Sequence, residues 1–566
     1  MRKTFLSSLI VGLMLSAGHL PAAETPVAIV SISGVENVLK DVNTLANIAG
    51  LGAEAMQFTM IGGVQAQAMG LDTKKPWGAV MYLGEGAPKG MLFVPITDLQ
   101  KLLTMAKGFN LPIQDNGDGT YSLTGPAGNS VVLKEQKGWL FVAQSADNLA
   151  NLPDDPTTLL GGLDKQYTIA IRANLQSIPA PLRDQFIALI KSGAQGGLRR
   201  LPGEEETQFL VRQKMVEAQI QQLGTMINET DQFTLGWGVD GAGKKTTLDF
   251  NLTAVAGSNL AKQFAKAKDL KSDFTGFLNA QAAGNFHLVS KIEPPDVEQL
   301  TQGLASMRER AMKGVDNDTN IPNDEGKKVV KEIVNQLFDV AKATIESGKL
   351  DGGAVLNLSA KNLTFAAGAY VADGAGIESA LKKLVEIAKN EPDFPGVNFN
   401  VATHQGVRFH TTSLPNPDPQ AKQVFGDKID VALGVGDKSV YLAVGKDTLQ
   451  TLKDIIDKSA SGSSKAVLPA EFALSLGQVL NFISQFDGNP MVAAVAAEVA
   501  KANGQDHVRV QSKPMENGAV GHVELEEGVI RAIGAAAKMG IAGGGGPGGP
   551  RPKGAGGIES APKRDF

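Results

Sequence analysis

A few short stretches of this chain combine residue types and spacings that could do chemistry. Gly238-Val-Asp-Gly-Ala-Gly243-Lys244-Lys245-Thr246 approaches a phosphate-binding loop. Such a loop needs Ser or Thr directly after its Lys, where the hydroxyl holds Mg²⁺. It also runs from a strand into a helix, so that free helix N–H groups meet the phosphate. Here Lys245 takes the hydroxyl position and strand-like residues lie on both sides, so the stretch reads as a hairpin turn. Asp316-Asn-Asp318-Thr-Asn320 begins like a calcium loop, but Ile321 and Lys327 stand where Gly and Glu are required. It reads as an exposed acidic loop between helices. Asp115-Asn-Gly-Asp-Gly119 fails the same template and reads as a turn before a strand at Thr120.

Of the six histidines, His19 lies in an apolar leader. His404 and His410 flank a Gln405-Gly406 turn and are the chain's metal-ligand candidates, facing each other across a hairpin. A third ligand would be needed, and no His-Glu-x-x-His pattern supplies it. His287, His507 and His522 stand alone on strand-like runs. There is no Gly-x-Ser-x-Gly elbow. Ser379-Ala-Leu-Lys382 matches Ser-x-x-Lys on a helical stretch, without the companion Ser-Asp-Asn and Lys-Thr-Gly motifs. Ser560-Ala-Pro-Lys563 matches in a Gly/Pro-rich tail. Ser459-Ala-Ser-Gly462-Ser-Ser-Lys465 has glycine where the serine belongs and reads as a linker. Met56, Met60 and Met69 suit either an adaptable apolar pocket or, by default, a core. No catalytic residue, metal site or cofactor site is expected.

Composition narrows the classes further. There is no cysteine, which excludes a disulfide framework, a thiolate metal site and a cysteine nucleophile. Arg2 and Lys3, the apolar run Phe5 to Leu15 and the small residues after it read as a secretory signal over 1–23. Cleavage after Gly18 or Ala23 leaves 52 basic and 59 acidic residues, a net charge of −7. Such a chain has no electrostatic reason to bind nucleic acid. No later apolar run reaches the ~20 residues of a spanning helix. Aromatics are only 5% of the residues, which leaves few stacking platforms for sugars or bases.

The elements that must position any site repeat along the chain. Ser130–Leu149 returns as Asp430–Leu449, with Val131/Val431, Leu133/Leu433, Ala143/Ala443 and Asp147/Asp447 identical without a gap. Gly78–Leu83 returns as Gly353–Leu358. Hydrophobic periodicity predicts the order strand, helix, helix, strand, strand, helix from about residues 26, 166 and 285, and a shorter version over 472–538. Ser33-Gly-Val-Glu36 and Thr97-Asp-Leu-Gln100 predict capping boxes. The Gly/Pro-rich stretch from Ala542 to the end of the chain cannot bury enough apolar surface to fold.

These observations predict an α+β fold of antiparallel sheets covered by helices, duplicated into two similar halves. The expected divisions are 1–23 signal, 24–275 first half, 280–540 second half and 541–566 disordered tail. The leading functional expectation is an exported, non-catalytic binding or structural protein of the bacterial cell envelope, in the periplasm or outside the cell. Its partner is an envelope component or apolar ligand, and the mature chain has no transmembrane segment. A carrier of an apolar ligand between the halves is the alternative; a hydrolase with a dispersed site is the next. N-terminal sequencing of the mature protein is expected to place cleavage between residues 18 and 24; Met1 retained in an exported protein would contradict this.

Overall fold

The computed structural model describes residues 25–542, apart from 84–87, 126–127, 203, 320, 322, 360–361, 390–393 and 487. The expected signal and nearly all of the expected tail lie outside the described residues. The first elements are β1 (Ala28–Ile32), α1 (Val35–Ile48), α2 (Gly52–Ala68), β2 (Trp77–Tyr82), β3 (Lys89–Pro95) and α3 (Leu99–Gly108). A meander comes next, of β4 (Ile113–Asp115), β5 (Thr120–Thr124), β6 (Ser130–Gln136) and β7 (Trp139–Ala143). The short helix α4 (Leu163–Gln166) leads into β8 (Ile169–Asn174), α5 (Ala180–Gly197), α6 (Glu206–Glu229), β9 (Thr230–Asp240), β10 (Lys245–Ala254) and α7 (Asn259–Lys266). Then come β11 (Gly284–Lys291), α8 (Pro294–Asn317), α9 (Asp324–Glu346), β12 (Lys349–Ser359), β13 (Asn362–Tyr370) and α10 (Gly374–Ala388). A second meander contains β14 (Asn398–His404), β15 (Val407–Pro415), α11 (Pro419–Phe425), β16 (Lys428–Gly436), β17 (Ser439–Gly445) and α12 (Thr448–Gly462). The last elements are β18 (Ala470–Ser475), α13 (Leu476–Ile483), α14 (Pro490–Ala500), β19 (His507–Met515), β20 (Gly518–Leu525) and α15 (Glu527–Ala542).

All twenty strands belong to one antiparallel sheet. From edge to edge the first ten run β4-β5-β6-β7-β3-β2-β1-β8-β9-β10. The other ten continue β20-β19-β18-β11-β12-β13-β17-β16-β15-β14. The ten strands from β11 onward therefore have the same neighbour order as the first ten, read from the opposite edge. The register agrees where the sequences match: Val132 pairs with Ala143, and Ala432 with Ala443. The ten-strand sets meet edge to edge through β10 and β20, in register from Thr246–Leu525 to Thr253–Gly518.

Apolar cores cover both faces of the sheet only toward its edges. On one face near the first edge, Leu149, Leu160 and Leu163 pack on Phe93 and Phe141; on the other, Leu99 and Leu103 of α3 pack on Leu133 and Leu140. Near the second edge, Phe274 and Phe277 join Leu452 and Ile455 of α12 over Phe409, Tyr441 and Ala443. This packing needs small neighbours. A Cβ on Gly353 would stand 2.7 Å from Phe277, and one on Gly368 2.6 Å from Tyr441. Across the middle of the sheet the described helices leave the expected cover incomplete. The helix hairpins leave from the strand ends, and large apolar side chains between them stay exposed.

Two expected caps differ in detail. Gly34, not Ser33, precedes the first turn of α1, at φ 124°, with the carbonyls of Thr73, Lys74 and Lys75 against it. Those carbonyls fill the space a side chain would need, and the Glu36 amide donates to Thr73 O instead of to a hydroxyl. At α3 the cap is Asp98, one residue after Thr97, accepting from the Lys101 amide. Replacing Phe277 by Ala is expected to lower unfolding stability by about 3–5 kcal/mol, since the cavity opens between glycines that cannot fill it; chemical denaturation measures this.

Candidate functional site

Strand pairing gives each sheet face a definite composition, because residues directly opposite in an antiparallel pair share a face. One face is polar across the central strands. There the Tyr167 hydroxyl donates to Asp249 (3.2 Å) and accepts from Asn251 (2.9 Å). Asp249 also pairs with His522 Nδ1 at 2.6 Å. Lys245 bonds Glu524 at 2.7 Å, which raises its pKa; burial acts the other way. Arg509 and His507 both hold Glu526 at 3.0 Å. Burial pushes the Glu526 carboxyl up, but these hydrogen bonds outweigh it and hold it below the ordinary range. These polar groups are engaged with one another.

The opposite face is apolar and open. One cross-strand row runs Trp77, Ile32, Ile169, Trp237, Leu248, Val523, Val510. It continues Phe472, Phe286, Ala354, Ala367, Leu442, Leu433 and ends at His410. That is fourteen strands, a path of about 60 Å at ~4.8 Å per strand. Along it Phe472 is 36%, Val510 40%, Phe286 42% and Leu442 39% exposed. Phe250, Phe233 and Ile171 on the same face are exposed too. A contiguous apolar patch on this scale exceeds the scatter of single apolar residues on an ordinary protein surface. Within it lies a cavity of about 420 Å³ between Phe286, Leu288 and Leu350 on one side and Val440 and Leu442 on the other.

Several helices leaving the sheet carry exposed apolar stripes. Met56, Met60 and Val64 repeat every four residues on α2, and Leu182, Phe186 and Leu189 follow helical spacing on α5. This corrects the default core assignment for Met56 and Met60. Because β1 and β8 are antiparallel neighbours, α1–α2 and α5–α6 leave from opposite ends of the strands.

The candidates from the sequence do not converge. His404 stands opposite Val407, and His410 is three residues farther on, so the two rings lie on opposite faces. This corrects the expectation that they face each other. His404 Nε2 meets Asp457 of α12 at 2.7 Å. His410 is buried; its Nδ1 accepts from the Asn400 amide and its Nε2 lies 3.9 Å from Glu378 of α10. Glu378 is already held by Arg408 and Lys382, each at 2.7 Å, so Lys382 serves an ion pair rather than Ser379. The Gly238–Thr246 stretch is the turn of the β9–β10 hairpin, with Lys244 on Glu527 and Lys245 on Glu524. Asp316 ends α8 and takes Lys331. Ser459 is not in a linker but buried in the last turns of α12, where its Oγ accepts from the Gly276 amide at 2.9 Å. Among the described residues, no group of three or more acidic or imidazole side chains could hold a metal. No helix among them is long and apolar enough to cross a membrane.

One constellation was not visible in the sequence. Ser272, His287 and Asp351 are buried together. The Ser272 hydroxyl donates to Asp351 at 2.5 Å, and its oxygen accepts from the Phe274 amide and from His287 Nε2 at 2.8 Å. A serine nucleophile needs the imidazole to take its proton and a carboxylate to orient the imidazole. Here the carboxylate holds the serine proton, the imidazole donates, and the core closes around all three. The cluster pins the Phe274–Phe277 segment to the sheet. Nothing in local spacing signals it, since the three residues come from a loop and two strands.

Comparison of the chain with models of known protein families, with curated proteins and with solved structures found no match.

Burial lowers the pKa of His287 and His410 from the ordinary 6.5. The unfolded chain therefore binds more protons than the folded one below about pH 6.5, and stability falls as the pH drops through that value. Glu378, Glu526 and Glu527 are held below their ordinary 4.5, so a second loss begins as the pH falls below 4.5. Melting temperature against pH should show both phases. His410→Asn, which keeps an acceptor for the Asn400 amide, is expected to make the first phase shallower.

Proposed function

We propose that this chain is an exported, non-catalytic carrier that holds an apolar ligand against the open face of its sheet. The observation that carries the reading is the cross-strand row between Trp77 and His410, with its exposed Phe, Leu and Val side chains. A structural scaffold has no use for so much apolar area in water, at ~25 cal/mol of unfavourable exposure per Å². A hydrolase needs a nucleophile, a base and an orienting group converging on a cleft. The clusters around Asp249 and Glu526 instead pair across the opposite face, and Ser272, His287 and Asp351 pair inside the core.

The ligand class that fits is hydrocarbon. Both neighbours of every central strand are occupied, so a docking peptide would bring N–H and C=O groups that the apolar face cannot satisfy. A cleaved leader and an envelope location would place the carrier beside the membranes that supply such a ligand. We further infer that the chain arose by internal duplication. The matching segments at 130–149 and 430–449 and the repeated strand order support this, and joining two such sheets edge to edge would double the length of the apolar face.

Titration with cis-parinaric acid, whose fluorescence rises in apolar surroundings, tests the carrier. The mature protein is expected to bind it saturably. Phe472→Glu and Val510→Glu, at exposed positions of the row, should each weaken binding at least about tenfold, the cost of a charge set in an apolar site. Absence of saturable binding, or binding unchanged in both variants, would reject the reading.

A further inference from the structure

The apolar face is not uniform, and a recess in it points to the kind of hydrocarbon it takes. The floor is made of Ala354 on β12 and Ala367 and Ala369 on β13, with Gly352 beside them. Two adjacent strands in the interior of a sheet are thus stripped of bulk, which weakens them unless something approaches closely. On the polar face the smallness has a cause: Phe277 and Tyr441 fill the space over Gly353 and Gly368. Gly352 also has one, since a Cβ there would meet the Gly368 carbonyl at 2.7 Å. For the three alanines none of the described residues takes the space, and a cavity of about 420 Å³ stands over them.

We propose that this recess seats a rigid fused-ring hydrocarbon, such as the ring system of a polycyclic terpenoid. The assignment rests on the carrier reading above and deepens it. Phe286 and Leu288 on β11 form one wall; Val440 and Leu442 on β17 form the other. These walls stand three strand spacings apart, about 14 Å. The recess is therefore wide and flat. A single extended acyl chain would cover a fraction of that width and leave the rest of the floor without contacts. A flat ring system covers it and loses no internal freedom on binding. Leu350, on β12 two residues from Gly352, also lines the recess; Asp351 and Tyr441 belong to the opposite face by register, so the recess itself offers no charged side chain. A volume of this size lies within the range of small-molecule sites.

The test compares two fluorescent probes on the full mature chain: dehydroergosterol, a rigid ring system, and cis-parinaric acid, a flexible chain. Ala354→Leu and Ala367→Leu, which fill the floor, are expected to lower affinity for the ring probe at least about tenfold, the scale of a lost close fit in an apolar pocket. Affinity for the chain probe should change less than about twofold, because the rest of the trough is untouched. Phe286→Ala removes a wall without adding bulk. It should weaken ring binding in the same direction, and it decides the matter if the leucine variants melt early. Chain binding without ring binding, or ring binding indifferent to all three substitutions, would overturn the ring assignment and leave the carrier reading standing. If neither probe binds, both fall. A concentration-dependent dimer abolished by Ala367→Leu would assign the recess to a second copy and overturn the proposal.

Discussion

The antiparallel pairing of β10 with β20 is the interaction on which the rest of the structure depends. It joins strands 279 residues apart in the chain at the Lys245–Glu524 ion pair. The ladder is reinforced on the polar face by Asp249 with His522 and by Lys245 with Glu524. Neither pair is fully exposed, so solvent screens them less than surface pairs. Without this ladder the two ten-strand sheets would each present a long unpaired edge, a template for aggregation. With it, the apolar row crosses from one set of strands to the other without interruption.

A sheet of twenty strands is larger than open sheets usually reach. Its packing is concentrated toward the edges, where helices and loop segments cover both faces. The outermost strands are poor templates for further pairing: β4 has three residues, and β14 is broken by a register shift at which Asn400 adopts φ 54°. The middle is held differently. There the polar face is knit by hydrogen bonds and ion pairs between neighbouring strands, while the apolar face contributes little burial and stays available. Division of labour between the two faces lets one sheet be held together on its polar face while its apolar face stays open.

Local pattern was informative wherever a structural requirement is local. The helix stripe from Val35 to Ile48, the Gly-rich turn at 240–245 and the strands at 130–136 and 139–143 follow from neighbours within a few residues. Details that depend on distant chain were not legible. The first cap passes to Gly34 because carbonyls of residues 73–75 approach it. Ser459 becomes a buried acceptor because Gly276 comes to it from the other side of the second meander. The opposite orientation of His404 and His410 was legible in principle: a two-residue turn sets 404 against 407, and a further step of three changes the face.

The sequence by itself determined the α+β class, most of the order of the elements and the absence of thiol chemistry, since these follow from periodicity and composition; the helix at Thr448–Gly462 was not among the expected elements. It also placed apolar residues at alternate positions along the central strands, which any half-buried sheet requires. Only the tertiary structure decided that those residues remain uncovered. Alternation says that a side chain points to an apolar face; it does not say whether a helix will lie on that face. Here the helix hairpins leave from the ends of the strands, so the side chains that would form a core form an open surface instead. Tertiary packing likewise set the recess over Ala354 and Ala367, because its walls come from β11 and β17, strands separated by some 150 residues of chain and brought to either side of the alanines by the sheet order.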